Sequence, residues 1–392
     1  MAYSDEQKIG KIWREKSYCQ EINLHSVRLK NSDFLDTLTK TAILTTLAGY
    51  KQCDYIYVFD KFNRNINLRK LSRYLSYILN HKEFAPRKYN IKVTDAKSFS
   101  KKNSNFRKNY YDGIISFSGG IDSTAGLLYF LDKGQHIQPL WIDFGQRNGE
   151  AELKSVKRVL GKIKTAPLTA KMDINKFILD GWKDWDYIIP GRNFLFISFA
   201  NNILKNSTRN KVYIYLCAHK DEMVHRRNTD KSKYFFKKAS QLFSLDSGKK
   251  VIVTTPFSHV TKAEILSYWK KHWIKKYGIS PHDTTSCYYG RGCGRCEVCL
   301  KRTVSLLASG FGIDPFIKDH PMKDHSGLIA KKWIPQMLSG KLSRDRKLDL
   351  LIAIGKSLKV VPDKVKKIYL NLPRQTLLAI KRRKEEIANA EI

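Results

Sequence analysis

Two short runs of the chain hold the residue types that handle phosphate and metal. The first is Ser118-Gly119-Gly120-Ile121-Asp122-Ser123. Two adjacent glycines lack Cβ atoms and permit positive φ, so backbone N–H groups can turn toward a single anion. A helix beginning near Ser123 would add its partly positive N-terminus. Ser118 and Ser123 offer hydroxyl donors, and Asp122 can hold a magnesium ion that screens phosphate charge. A tight strand-to-helix turn that binds nothing would also use Gly-Gly beside a polar cap. No Lys follows the glycines, which excludes a Walker loop, and no third glycine sits at the dinucleotide-fingerprint offset. The second run carries Cys287, Cys293, Cys296 and Cys299 in the spacing C-x5-C-x2-C-x2-C. Thiolates at that density suit tetrahedral zinc, with an iron–sulfur cluster as the rival. Gly290, Gly292 and Gly294 let the backbone wrap an ion, while Arg291, Arg295, Lys301 and Arg302 can offset the charge of a four-thiolate centre. With no vacant ligand position, such a centre is structural rather than catalytic.

The elements that must position these runs follow from hydrophobic periodicity. Short apolar stretches at 114–117, 137–142, 212–217 and 251–254 read as strands, and helical patterns start near Ser123, Glu150, Phe194 and Lys262. Strands that are apolar on both faces and alternate with helices predict a parallel sheet in an α/β domain. Ahead of it, residues 1–110 form an N-terminal α/β addition, with helical periodicity at 34–47 and 68–79, a strand-like run at 55–59 and a polar linker at 101–105. The catalytic domain then spans 111–311 and includes the cysteines. A helical, basic tail covers 312–392, where 331–384 holds 16 Lys or Arg against 3 Asp.

Composition narrows the function classes. Hydrophobic residues make up 42% of the 392 and charged residues 28%, values of a globular chain with a sizeable core. A polar start and the absence of a long apolar run predict a cytoplasmic protein with no membrane segment. Cysteine clustering in such a chain indicates metal rather than disulfides, and the scattered Cys19, Cys53 and Cys217 read as small buried side chains. The net charge of +36 attracts polyanions, pointing to nucleic acid or an acidic protein, although lysine-rich surfaces also serve solubility alone. Aromatics interleaved with lysine at 231–238 fit either nucleic-acid stacking or an amphipathic helix, and the periodicity favours the helix.

The phosphate-binding run resembles the SGGxDS loop of the PP-loop ATP pyrophosphatases, whose shared chemistry is adenylation of an oxygen with release of pyrophosphate. Three further segments narrow the resemblance: Phe144-Gly145-Gln146-Arg147, Pro190-Gly191-Arg192-Asn193, and Thr255-Pro256 ahead of Lys262-Ala263-Glu264. Together with the loop and the cysteines, in this order, they resemble the 7-cyano-7-deazaguanine synthases, the QueC family of queuosine biosynthesis, from about Gly113 to Arg302. The resemblance implies a HUP-like α/β domain that adenylates 7-carboxy-7-deazaguanine with ATP and Mg²⁺, admits ammonia to form an amide, and dehydrates that amide to the nitrile. It implies that Ser118, Gly119, Gly120, Asp122 and Ser123 hold pyrophosphate, with Gln146 and Arg147 beyond a strand end nearby. Asp122, Lys262 and Arg192 are the implied catalytic residues, Lys262 stabilising phosphate charge and Arg192 meeting an anionic group. Asn193, Asp221 and Asp230 are the implied substrate contacts, the two carboxylates facing the N–H edge of the deazaguanine.

One segment departs from the family. Where it usually has Ser-Gly-Tyr-Pro-Asp-Cys-Arg character, this chain runs from His219 to Lys231 as HKDEMVHRRNTDK. QueC-like proteins with long extensions are associated with bacterial antiviral defence operons. There the resemblance implies a changed acceptor, a protein amine in place of ammonia, on an operon partner.

Overall fold

The computed structural model describes residues 111–171, 192–223 and 229–392, together with the backbone of four strands nearer the N-terminus. The expected helices at 34–47 and 68–79, the linker at 101–105, Cys53, Pro190 and Gly191 lie outside the described residues. The N-terminal strands are β1 (Lys8–Arg14), β2 (Ser17–Asn23), β3 (Tyr55–Asp60) and β4 (Asn90–Asp95). They form one sheet in the order β2-β1-β3-β4, with β1 antiparallel to β2 and β3, and β3 parallel to β4. The run expected at 55–59 is β3.

The second sheet contains β5 (Gly113–Ser116), β6 (Ile137–Asp143), β7 (Leu168–Lys171), β8 (Lys211–Tyr215) and β9 (Lys250–Thr254). All its pairings are parallel, in the order β7-β6-β5-β8-β9. In central β5, Ile114 and Ile115 point to opposite faces and both are fully buried, as a sheet covered on two sides requires. Sequence patterning missed β7, a short edge strand whose Thr169 and Lys171 break the apolar run. Five helices accompany the sheet: α1 (Ile121–Asp132), α2 (Gly149–Lys162), α3 (Arg192–Leu204), α4 (Lys233–Ser247) and α5 (Lys262–Tyr268). The strand order sets β5 beside β8 while their connections lead away in opposite directions. In open α/β sheets that reversal opens a crevice at the carboxyl ends of the two strands.

Helix α4 decides the reading of the aromatic–lysine run. Ser232 caps it by accepting from Phe235 N at 3.1 Å, Phe235 and Phe236 are buried, and only Tyr234 stands exposed, under Lys238 Nζ. The aromatics are mainly core, as the helical periodicity indicated.

Beyond the sheet come α6 (Glu297–Ala308), α7 (Arg344–Lys356), α8 (Asp363–Leu370) and α9 (Arg374–Ala388). Leu300, Val304 and Leu307 of α6 share one core with Leu351, Ile352, Ile380 and Ile387. Each such side chain, once buried, contributes about 1.5–3 kcal/mol, so the helices after 312 are held to α6 rather than folded apart from it. No helix among the described residues is long and apolar enough to cross a membrane.

Candidate active site

The chain leaves β5 and turns at Gly119, where φ is +68°. A Cβ there would lie 2.8 Å from Val156 N and 2.9 Å from the Ser155 side chain, so both the conformation and the space demand glycine. Gly120, expected to share the positive φ, is extended instead and is the N-cap of α1 with no side-chain capping bond. The first N–H donors of α1 are therefore left for an anion. Because α1 begins at Ile121 rather than Ser123, both Asp122 and Ser123 lie in its first turn. Ser118 Oγ and Ser123 Oγ are 3.4 Å apart. Behind the loop, Ser155 Oγ and Thr285 N donate to the Gly119 carbonyl at 2.7 and 3.0 Å, fixing the turn from two sides.

Lys262 arrives from α5. Thr261 and Glu264 form a reciprocal capping box that starts this helix, so Lys262 takes its first position. Its Nζ lies 2.9 Å from Asp122 Oδ2, joining α5 to α1 across the crevice. The chain from β8 adds His219 and a single helical turn, Lys220–Met223. His219 is buried, and its Nε2 lies 3.8 Å from Glu222 Oε2. Lys231 Nζ donates to Glu222 Oε1 at 2.6 Å. Burial pushes the Glu222 carboxyl up, but Lys231, His219 and Lys262 outweigh it and hold the group well below the usual carboxylate range. Burial also lowers the His219 imidazole, which favours its neutral form.

His219 and Glu222 were not singled out from sequence. The signal lay in the same departing segment, but carboxylate type directed attention to Asp221 and Asp230. Residues three apart on a helical turn share a side, which aligns Glu222 with His219 Nε2, while Asp221 Oδ2 lies 3.9 Å from Nδ1 on the other edge of the ring. Asp221 accepts from Ser343 Oγ, the N-cap of α7, at 3.1 Å. Asp230 and Asn193 are brought together, Asn193 Nδ2 donating to Asp230 Oδ2 at 2.7 Å. Arg192 opens α3 on the surface, and its charge reaches half-buried Glu152, whose carboxyl desolvation nonetheless raises. Gln146 shapes its own loop: Oε1 accepts from Phe144 N at 2.7 Å and Nε2 donates to Glu152 at 3.0 Å. The Arg147 guanidinium lies over the Tyr289 ring at 4.7 Å, linking this loop to the cysteine segment. Cys217, expected to be buried, is only partly so.

The four cysteines converge. Their Sγ atoms all lie within 4.8 Å of one another. Backbone N–H groups of Tyr289 and Cys293 donate to Cys287 Sγ, those of Arg295 and Cys296 to Cys293 Sγ, and that of Cys299 to Cys296 Sγ, at 3.2–3.4 Å. Such donors stabilise thiolates, and the set fits a tetrahedral metal such as zinc. Gly294 is required here: φ is +76°, and a Cβ would fall 1.8 Å from Asp319 O.

The basic residues expected to balance this centre are committed elsewhere. Arg302 is buried and directs Nε and Nη2 to Asp314 at 2.6 and 2.9 Å, Nη1 to Thr284 Oγ1 at 2.7 Å and Nη2 to Pro281 O at 2.6 Å. It thereby holds the segment that carries Thr285 to the phosphate loop. Asp314 also takes His282 Nδ1 at 2.8 Å. Burial raises its carboxyl, but Arg302 and His282 keep it lowered. Arg295 pairs with Asp319, Lys301 with Glu297, and Arg291 covers Phe316.

Residues 112–310 match the family model described as queuosine biosynthesis protein QueC. The chain is similar to the 7-cyano-7-deazaguanine synthase of Leptospira interrogans, with 28% identity over 242 residues, 56% of this chain and 95% of the relative. It is similar to 7-cyano-7-deazaguanine synthase 1 of Sulfurisphaera tokodaii, with 29% identity over 195 residues, 48% of this chain and 89% of the relative. The Acetivibrio thermocellus synthase is 29% identical over 218 residues, 50% of this chain and 93% of the relative. The family match takes in the loop, Lys262 and the cysteines, and it leaves out the N-terminal sheet and α7 to α9. Covering half of the chain and every element around the phosphate loop, it establishes that this protein belongs to the QueC family.

Proposed function

We propose that the protein uses ATP to activate the carboxylate of 7-carboxy-7-deazaguanine, or a close analogue, and passes the acyl group to a nitrogen nucleophile. QueC homologues are ATP-using enzymes of the PP-loop class. A carboxylate is a poor electrophile. Attack of its oxygen on the α-phosphate releases pyrophosphate and makes AMP the leaving group; an amine then takes the acyl carbon, giving an amide, AMP and a proton. The observation that carries this reading is the meeting of the open N-terminus of α1, the Ser118 and Ser123 hydroxyls and Lys262 at one crevice. Donors held in place before phosphate charge develops stabilise it without reorganisation. Asp122 suits Mg²⁺, which supplies charge neutralisation when bound. The four cysteines suit zinc in a structural role.

For the acceptor we infer a protein amine, on a partner of the kind found in antiviral defence operons. Support comes from the departing segment, which sets His219, Glu222 and Lys231 beside Asp122, and from the large parts of the chain beyond the family match. A second reading, release of free 7-cyano-7-deazaguanine, is favoured by the high coverage of relatives that carry that name. Incubation with ATP, the deazaguanine acid and either ammonia or a candidate partner protein, followed by mass spectrometry, separates the two. A mass increment on the partner supports conjugation, and rapid nitrile formation with ammonia alone supports the second reading. If the acid prompts no pyrophosphate release, both are wrong. Asp122→Ala should abolish that release while leaving the fold intact. A DNA- or RNA-binding assay with a steep salt slope would add nucleic acid as a partner.

A further inference from the structure

Three serine hydroxyls gather at the phosphate turn, and they differ in what their hydrogens do. Ser123 Oγ donates to Gly120 O at 3.3 Å, which leaves Ser118 Oγ as the donor in its 3.4 Å contact with Ser123 Oγ. The third, Ser286, comes from the distant segment that leads into Cys287. Its Oγ accepts from Arg302 Nη1 at 3.3 Å and donates to nothing among the described residues.

Gly120 shows where that hydrogen can go. With φ −84° and ψ 173° its backbone is one that any residue adopts, so conformation does not require glycine here. The space beside it does. A Cβ at Gly120 would lie 3.3 Å from Ser118 Oγ, 3.4 Å from Thr285 O and 3.5 Å from Ser286 Oγ. A methyl would therefore fill the gap that the two hydroxyls line, at the start of α1 where the open N–H donors are. Thr285 belongs to the same wall, and its N–H ties that wall to Gly119 O at 3.0 Å.

Arg302 prepares Ser286 for this position. Four bonds of 2.6–2.9 Å to Asp314, Thr284 and Pro281 already hold the segment, so the longer bond to Ser286 is not what secures it. That bond places positive charge on one lone pair of the serine oxygen and leaves the O–H as the group the side chain offers. Such a hydroxyl suits an anionic acceptor, to which hydrogen bonds are shorter and stronger than to a neutral one.

We propose that Ser286 binds phosphate, its hydroxyl donating to a phosphoryl oxygen lodged beside Gly120. The phosphate site is then closed from the cysteine segment as well as from α1 and α5. This assignment rests on the ATP-activating reading above and adds to it a residue that lies outside the loop at 118–123.

The probe is inorganic pyrophosphate, titrated calorimetrically in magnesium buffer into the full-length protein with its cysteine centre loaded as purified. Ser286→Ala should weaken pyrophosphate about tenfold or more, as loss of a hydrogen bond to a charged group does. It should melt close to the native temperature, because Arg302 keeps its four shorter bonds. Ser286→Thr, which retains the hydroxyl, should recover most of the affinity. If Ser286→Ala does not fold, Gly120→Ala carries the test: its backbone accepts alanine, and the added methyl should weaken pyrophosphate by a similar factor. Unchanged affinity in folded Ser286→Ala or in Gly120→Ala would overturn the assignment, as would Ser286→Thr binding no better than Ser286→Ala. A native protein that binds no pyrophosphate would overturn the ATP-activating reading and this assignment with it. Native binding that the variants leave intact would overturn Ser286 alone.

Discussion

Two arginines, Arg302 and Arg383, are almost wholly buried, 4% and 1% exposed, and they brace opposite sides of the same crevice. Arg302 lies inside the family match and locks the segment that bonds to Gly119 O. Arg383 lies far outside it, on α9. Its Nε donates to Asp349 at 2.9 Å, its Nη2 to Thr261 Oγ1 at 2.8 Å, and its Nη1 to Glu264. Thr261 and Glu264 are the capping box that presents Lys262, so a helix beyond the family match grips the cap beside the lysine facing Asp122. Even Arg302 depends on the later chain, because Asp314 follows the matched region. Lys220 with Asp345 at 2.7 Å adds a further tie. Buried ion pairs contribute little net stability, but each is costly to break, so they hold geometry more than they add strength. Residues after 310 are therefore part of the site's support and not an appended module.

The largest effect is expected from removing residues 312–392. The cut strips the apolar partners of α6 and takes Asp314 from Arg302, so the remainder should fail to give soluble, cooperatively folded protein in near-ultraviolet circular dichroism. A truncated chain that folds and still consumes ATP would show that the later helices are dispensable. Next in size is Arg302→Met, which leaves buried Asp314 with His282 as its one remaining partner among the described residues. It should cost about 3–5 kcal/mol in urea unfolding and abolish ATP-dependent turnover together with stability.

Arg383→Met should be milder, about 3 kcal/mol, because Lys220 still ties α7 to the sheet. Its diagnostic is a rise in the KM for ATP, since Lys262 loses its braced cap; lost stability with an unchanged KM would confine Arg383 to packing. The smallest effect is a pH dependence at Asp314. Its folded carboxyl titrates lower than in the unfolded chain, so its stabilisation is present above the unfolded value and is lost as pH falls through the folded one. Urea midpoints should therefore drop more steeply in native protein than in Asp314→Asn between about pH 5 and pH 2. Equal slopes would mean that the carboxyl is not held low.

What could be read before folding was local. The loop at 118–123 is legible because a glycine turn between a strand and a helix is written in consecutive residues, and the cysteines because they fall at short spacings. Strands β5, β6, β8 and β9 announced themselves by apolar runs, while β7, whose Thr169 and Lys171 break its run, did not. In the departing segment, composition flagged the region but not the direction of each side chain: one residue along a helical turn rotates by about 100°, enough to send Glu222 toward Asp122 and Asp221 toward Ser343.

The amino-acid sequence thus determined by itself the α/β class, the loop at 118–123, the four cysteines and the membership of the central half in a family of ATP-using enzymes. Tertiary structure alone decided which distant groups meet there. His219 and Glu222 reach Asp122 only because parallel pairing sets β8 beside β5, and Arg383 reaches the cap of α5 only because an apolar core seats α9 against it. Pairings between residues so far apart in the chain leave no local pattern, because they are selected by sheet order and packing rather than by spacing.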